Sequence, residues 1–332
     1  MKPNPPRQSS PRAPRFTFGL ILLAACFGRL PHAAGLETNS FHVGFTSSLF
    51  TEVNENDAKA AVKAWVEIVA KQHDIPTDPD PRIFQTTLEL LQALQNKQVD
   101  AIGLSTVEYA AVNRKVPLAP IFVTYHNGQD REQYLVLVRR DSHLDHLSDL
   151  RGHTLTFHLN ARACMAEPWL DTQLAKEGAK PTAAWLGKIT KTTKLSHVVL
   201  PVFFHQCDAC VAMRSEFETL CELNPQLGQQ LQIIARSPEM VTAMFCFRAD
   251  YAPAFKAKIF AGLEDLNKTP AGQQVLTIFE SEKTAVEPAS CLDSALEILA
   301  LRAQLADRAE ATDSANSQPQ AGAPQTLGGA NP

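Results

Sequence analysis

The sequence predicts an α/β chain built from two similar lobes, and one repeated pattern carries that prediction. Residues 98–105 read QVDAIGLS, an apolar run broken only by Asp100 and Gly103. Such a run is a buried parallel strand, here with Ser105-Thr106 at its carboxyl end. An apolar stripe at helical spacing precedes it, Leu88, Leu90, Leu91 and Leu94, and stops at Asn96-Lys97. Residues 206–213 then read QCDACVAM, behind an apolar segment at 198–204 and a polar step at His205-Gln206. Two helix–strand units with the same Gln-x-Asp-Ala core imply one unit in each of two lobes. Ligands of open α/β sheets sit beyond the carboxyl ends of strands, so two such edges facing one another make a cleft. Asp100 and Asp208 begin their strands, where they satisfy nearby backbone groups, and the residues at the far ends of those strands face the ligand.

The chain of 332 residues is long enough for two domains of ordinary size. Hydrophobic residues make up 45 % and charged residues 20 %, enough for a packed core. Formal net charge is −4, and without the four basic residues Lys2, Arg7, Arg12 and Arg15 it is 27 basic against 35 acidic, −8. A nucleic-acid binder needs a basic face, so that class is excluded.

Residues 1–15 are basic and Pro-rich and residues 16–26 are apolar, the layout of a secretory signal too short to span a bilayer comfortably. The run ends Leu23-Ala24-Ala25-Cys26, which matches the lipobox of bacterial lipoproteins and makes Cys26 the expected acylated first residue. Cleavage near Ala33 or Ala34 and an uncleaved anchor are the alternatives. Each places the remainder outside the cytoplasm, with residues 1–25 as signal and 26–39 as linker.

Residues 41–46 form the first strand of the body, with Thr46, Ser47 and Ser48 at its end. A helix over 56–73 turns Ala61, Val62, Trp65, Ile68 and Val69 inward. A short strand near Ile83 leads to the first repeated unit, then a helix from Val107, a strand over 118–125 and an Asn127-Gly128 turn. A strand over 133–138, a short helix over 147–152 closed by Gly152, a strand over 153–159 and a helix over 167–178 come next. Residues 179–196 show no clear period. After the second unit come a helix over 215–223, strands over 231–235 and 241–247, and helices over 253–266, from Pro270, and over 290–305. From Ala311 the chain has no aromatic residue and one Leu, so 311–332 reads as a disordered tail.

In this order the segments resemble the phosphate/phosphite/phosphonate substrate-binding proteins of ABC transporters, a branch of the type 2 periplasmic binding fold. The matching features are the Thr46-Ser47-Ser48 loop, QVDAIGLS followed by Tyr109, QYLVLVRRDS leading to LSDLRG and HTLTFHL, CDACVAMRSEFETLCELNPQL, and FCFRADY before a helix. The resemblance implies two lobes joined by two crossing strands, QYLVLV and TAMFCF, with lobe one at 40–135 plus 245–305 and lobe two at 138–240. It further implies a monomer that closes on a small anionic solute, delivers it to a transporter permease, performs no chemistry and needs no cofactor. The pattern departs at one place. Where these proteins carry a Ser/Thr-rich loop after the first strand of lobe two, this chain reads Asn160-Ala161-Arg162-Ala163-Cys164-Met165. The hydroxyls are gone, and Arg162 is either a fixed charge in their place or a solvated surface residue.

The candidate ligand residues are Thr46, Ser47, Ser48, Ser105 and Thr106, in loops between strands and helices where hydroxyls converge with helix N–H groups. All five are equally good helix caps. Tyr109 walls the cleft or packs in the core. Tyr125 ends a strand near the hinge. Arg214 comes after the second unit as Thr106 does after the first, and an ion pair with a nearby acid is its bland alternative.

If Cys26 is acylated, Cys164, Cys207, Cys210, Cys221, Cys246 and Cys291 remain. A strand separates Cys207 and Cys210 by about 10 Å on opposite faces, too far for a disulfide. His205, Cys207, Cys210 and Cys221 lack a zinc spacing, so no metal is expected. No nucleophile elbow, P-loop or dinucleotide fingerprint is present. The rival readings are a ligand-sensing module without a transport role, and a thiol or metal protein.

Overall fold

Short apolar runs and amphipathic stripes alternate along the chain, and the runs sort into two sheets. The structure is a computed structural model that describes residues 40–316 except 52 and 79. Cys26, the signal, the whole expected linker and residues 317–332 of the expected tail therefore lie outside the described residues. Strand β1 (Val43–Thr46) enters a one-turn 3-10 helix, Ser47–Phe50. Helix α1 (Glu55–His73) is capped by the Asn54 side chain. It buries Ala58, Val62, Trp65 and Val66, whereas Ile68 is 41 % exposed, since it falls on the flank of that stripe. Then come β2 (Arg82–Phe84), α2 (Thr87–Gln95), β3 (Ala101–Ser105), α3 (Thr106–Val112) and β4 (Leu118–Tyr125). Leu90, Leu91 and Leu94 of α2 are buried and Leu88 is exposed. At the expected turn both Asn127 and Gly128 have positive φ, 48° and 75°.

The middle of the chain supplies β5 (Tyr134–Arg139), β6 (Thr154–His158), α4 (Ala166–Lys176), α5 (Thr182–Trp185), β7 (Lys188–Thr192), α6 (Leu195–Phe203), β8 (Ala209–Met213), α7 (Arg214–Leu223), α8 (Pro225–Gln230) and β9 (Leu231–Arg236). The last third supplies β10 (Ala243–Arg248), α9 (Lys256–Glu264), α10 (Pro270–Ile278), β11 (Lys283–Glu287) and α11 (Asp293–Asn316). Strands β7 and β11 escape sequence reading because they are sheet edges with few apolar residues, KITKT and KTAVE. Helix α11 runs to Asn316, six residues into the segment expected to be a tail. Those residues hold neither Pro nor Gly, so a helix already nucleated propagates through them.

One sheet has the order β11-β4-β10-β3-β1-β2 and the other β7-β6-β8-β5-β9. Each is built alike: the strand of the repeated unit is parallel to the strand that opens its lobe (β3 with β1, β8 with β6) and antiparallel to a strand arriving by the crossover (β3 with β10, β8 with β5). The crossings run through 126–133 and 237–242, immediately before the two strands named by resemblance. Helix α11 then leaves lobe one to lie on α4 of lobe two, with Ala295 and Ile298 buried beside Met165 and Trp169. Arg302 closes that contact on Asp171 at 2.8 Å.

The two aspartates of the repeat do the same work in both sheets. The Asp100 carboxylate accepts from the His42 backbone N–H (2.9 Å), at the entry to β1, and from the buried Arg248 guanidinium (3.3 Å), at the end of β10. The Asp208 carboxylate accepts from the Thr154 backbone N–H (2.8 Å) and hydroxyl (2.7 Å) at the start of β6. Asp100 is buried, whereas the Asp208 side chain is 41 % exposed. Asp100→Ala removes the buried one of the two carboxylates on the Arg248 guanidinium, leaving only the half-exposed Asp250 at 3.1 Å, and is expected to cost about 3 kcal/mol. Asp208→Ala should cost about 1 kcal/mol, the worth of ordinary hydrogen bonds at a half-wet site. Urea denaturation of the two variants checks the difference, and equal losses would contradict it.

Candidate functional site

The crossover segments are hydrogen-bonded to each other beside the hinge. Glu132 and Met240 pair antiparallel, Glu132 N–H donating to the Met240 carbonyl (2.8 Å) and Met240 N–H to the Glu132 carbonyl (2.9 Å). The Glu132 side chain turns into lobe two, where it accepts from Arg162 Nη1 (2.7 Å) and the Ser215 hydroxyl (3.2 Å). Burial pushes the Glu132 carboxyl up, against the opposing pull of Arg162.

Arg162 is therefore no solvated surface residue. Asn160 caps the short turn Ala161–Ala163 by accepting the Ala163 N–H at 2.9 Å, which fixes the loop after β6. The Tyr134 hydroxyl donates to the Arg162 carbonyl (2.5 Å). The guanidinium is 16 % exposed and reaches three carboxylates: Glu132, Glu216 of α7 (3.6 Å) and Glu280, across on lobe one (3.4 Å). Glu216 in turn accepts from His158 (2.8 Å) and Asn160 (3.3 Å). Burial and the neighbouring Arg162 hold the His126 imidazole down at about 4, so it is neutral at ordinary pH and adds no positive charge.

On lobe one the hydroxyl loop is matched to an anion, and the chain supplies one. Glu108 Oε2 accepts from the Thr46 hydroxyl (2.8 Å), the Ser48 hydroxyl (3.0 Å), the Ser105 N–H (2.9 Å) and the Ser105 hydroxyl (2.8 Å). Ser105 and Glu108 form a capping box on α3, a pattern legible as Ser-x-x-Glu. Ser47 opens the adjoining 3-10 turn, which packs on the Ala161–Ala163 turn of lobe two. The Cys164 thiol donates to the Thr242 carbonyl (3.2 Å) and is pushed up to about 12 by burial.

The other expected residues have different surroundings. Thr106 is buried, with its hydroxyl on the Val241 carbonyl (2.7 Å) and its N–H on the Thr242 carbonyl (2.8 Å). Tyr109 is packed in the lobe-one core. The Tyr125 hydroxyl donates to Glu287 (3.2 Å), and Lys283 lies 4.2 Å from its ring centre. Arg214 takes the bland alternative, pairing with Glu218 (2.7 Å) one turn along α7 at the exposed surface. Cys207 and Cys210 are free thiols, and among the described residues no His, Cys, Asp or Glu group is placed to hold a metal.

A cavity of about 130 Å³ opens at this junction. Its polar end is His126, Asp130, Glu132, Asn160, Arg162 and Glu280. Of the nine expected site residues only Arg162 lines it. Glu132, Glu216 and Glu280 escaped sequence reading because lone acids beside a strand or in a helix carry no spacing signal.

The phosphonate-type periplasmic substrate-binding protein family of ABC transporters matches residues 47–294. The chain belongs to this family. Members are substrate-binding components of transporters, and the family is periplasmic. Among solved structures, the XAC2383 protein of Xanthomonas citri bound to ATP is 18 % identical, with a TM-score of 0.59 over 81 % of this chain and 98 % of its own. PhnD1 of Prochlorococcus marinus in complex with methylphosphonate is 14 % identical, with a TM-score of 0.53 over 81 % of this chain and 99 % of its own. The binding protein component PA3383 of a Pseudomonas aeruginosa phosphonate transporter is 13 % identical, with a TM-score of 0.51 over 84 % of this chain and 100 % of its own. At these identities the likeness shows the fold, the type 2 periplasmic binding fold. No curated protein sequence matches the chain. No helix among the described residues is long and apolar enough to cross a membrane.

The position of His126 gives a measurable pH dependence. Its folded pKa of about 4 lies below the ordinary 6.5, so between those values the unfolded chain binds the proton and the folded chain does not. That contribution to stability is complete above pH 6.5 and is lost as pH falls toward 4. His126→Gln should shrink the loss of stability between about pH 7 and about pH 5, measured by urea denaturation at both. An unchanged loss would show that the imidazole is protonated in the folded protein.

Proposed function

We propose that this chain captures a small solute with an acidic, phosphonate-like head between its two lobes and hands it to an ABC-transporter permease. Arg162 is the observation that carries the reading. It is the cation at the cavity mouth, held by one lobe and bridged to the other through Glu280. Glu132 and Glu216 are enclosed partners, whereas Glu280 is 48 % exposed and its bond is long. The long bond to a carboxylate that is half in solvent makes Glu280 the weakest held of the three acids, so it is the one an acidic head displaces from Nη2. Closure is then driven by the differential affinity of a ligand that touches both lobes. The hydroxyls of Thr46, Ser48 and Ser105, now on Glu108, are a second donor set suited to such oxygens. PhnD1, solved with methylphosphonate, makes that molecule the first probe.

The Leu23-Ala24-Ala25-Cys26 motif supports a mature chain that begins at an acylated Cys26 and is anchored in the membrane, and the family resemblance supports a monomer. Mass spectrometry of the mature amino terminus decides the first point. Calorimetry with methylphosphonate decides the head group: Arg162→Gln should weaken binding about tenfold or more. Glu280→Gln, which keeps Arg162 and removes its competitor, should tighten binding about two- to fivefold. Weaker binding in Glu280→Gln would mean that the carboxylate itself contacts the ligand, and the head would then be cationic.

A further inference from the structure

The cavity runs away from the polar mouth into the apolar core of lobe one, between the first sheet and helices α1, α9 and α10. Val43, Phe45, Trp65, Phe122, Phe245 and Val275 are among its walls, and beyond the mouth the lining side chains are apolar apart from four threonines. Protein interiors pack closely and voids of this size are destabilising, so one that lies beside the binding residues calls for an occupant. An engineered cavity of about 150 Å³ with similar walls stays dry and takes up benzene. The walls are held open by construction. A Cβ at Gly103 would lie 2.5 Å from the Phe45 ring, so glycine lets that ring lie flat on the sheet. Phe45 stacks on Phe279 with ring centres 5.3 Å apart. The next residue, Glu280, is in the left-handed region with φ of 48°, a conformation that side-chain-bearing residues seldom adopt. It brings the end of α10 to the mouth, so the aromatic wall and the carboxylate on Arg162 belong to one short segment.

We infer that the solute of this protein is amphipathic, with its polar head at the Arg162 mouth and an uncharged alkyl or aryl group of about benzene size inside lobe one. The inference rests on solute capture at that mouth. The apolar group binds by leaving water, and its size is set by the cavity rather than by any hydrogen bond.

Two measurements on the full chain separate this inference from the reading of the head group. In calorimetry, phenylphosphonate should bind at least about tenfold more tightly than methylphosphonate, because burying an aromatic ring is worth that much or more. Two filling variants on opposite walls, Val275→Phe on α10 and Ala243→Leu on β10, should abolish this preference while leaving methylphosphonate binding within about twofold. Benzene alone, which has no head, should raise the melting temperature of the parent and not of either variant that folds. If benzene stabilises and neither phosphonate binds, the cavity stands and the head-group reading fails. If methylphosphonate binds as tightly as phenylphosphonate and benzene has no effect, the apolar subsite is overturned and the head-group reading stands.

Discussion

Glu132 holds the two lobes in their relation. Its backbone pairs with Met240, which with the bond from the Gln133 side chain to the Ser237 carbonyl ties the two crossing segments together. Its buried carboxylate needs a cation, and the need is met by Arg162 from the loop after β6. A buried carboxylate without a partner is strongly destabilising, so this contact fixes where the lobe-two loop sits relative to the hinge. The mouth of the cavity, the reach of Arg162 toward Glu280 and the alignment of the two strand edges all depend on it.

The lobes themselves are two solutions of one problem. A parallel strand pair must begin somewhere, and its first N–H groups have no partner in the ladder. Asp100 and Asp208 supply that partner at equivalent positions, next to strands that open their lobes. The difference between them is burial. Asp100 also neutralises Arg248 inside lobe one, whereas Asp208 works beside exposed His153 and needs only Thr154. Exchange of one strand by each crossover, β10 into the first sheet and β5 into the second, makes each lobe depend on chain from the far side of the hinge.

The hydroxyl loop of lobe one and the Arg162 guanidinium are both occupied by the protein's own carboxylates. Glu108 gathers four hydrogen bonds from Thr46, Ser48 and Ser105, and three acids surround Arg162. An acid captured as proposed would compete with these carboxylates rather than fill an empty site, and the half-exposed Glu280 is the one it would displace. Such competition would favour solutes whose remaining groups contribute independently, and the apolar cavity behind the mouth is the proposed source of that contribution.

The sequence by itself determined most strands and helices of both lobes, their order and the equivalence of the two Gln-x-Asp-Ala units, because apolar periodicity is local and each unit carries its own, but not the short helices α5 and α8. It determined Arg162 as the departure from the hydroxyl loop. It did not disclose β7 and β11, whose edge positions require no apolar run. Only the tertiary structure decided which polar residues meet. Glu132, Glu216 and Glu280 are far apart in the chain and converge on one guanidinium because a hinge, a helix start and a helix end are packed together. Thr106 and Arg214 occupy matching places in the repeat, yet one is buried against the crossover backbone and the other pairs with Glu218 at the surface. Contact partners are set by the packing of distant segments, and a local pattern of residues carries no record of it.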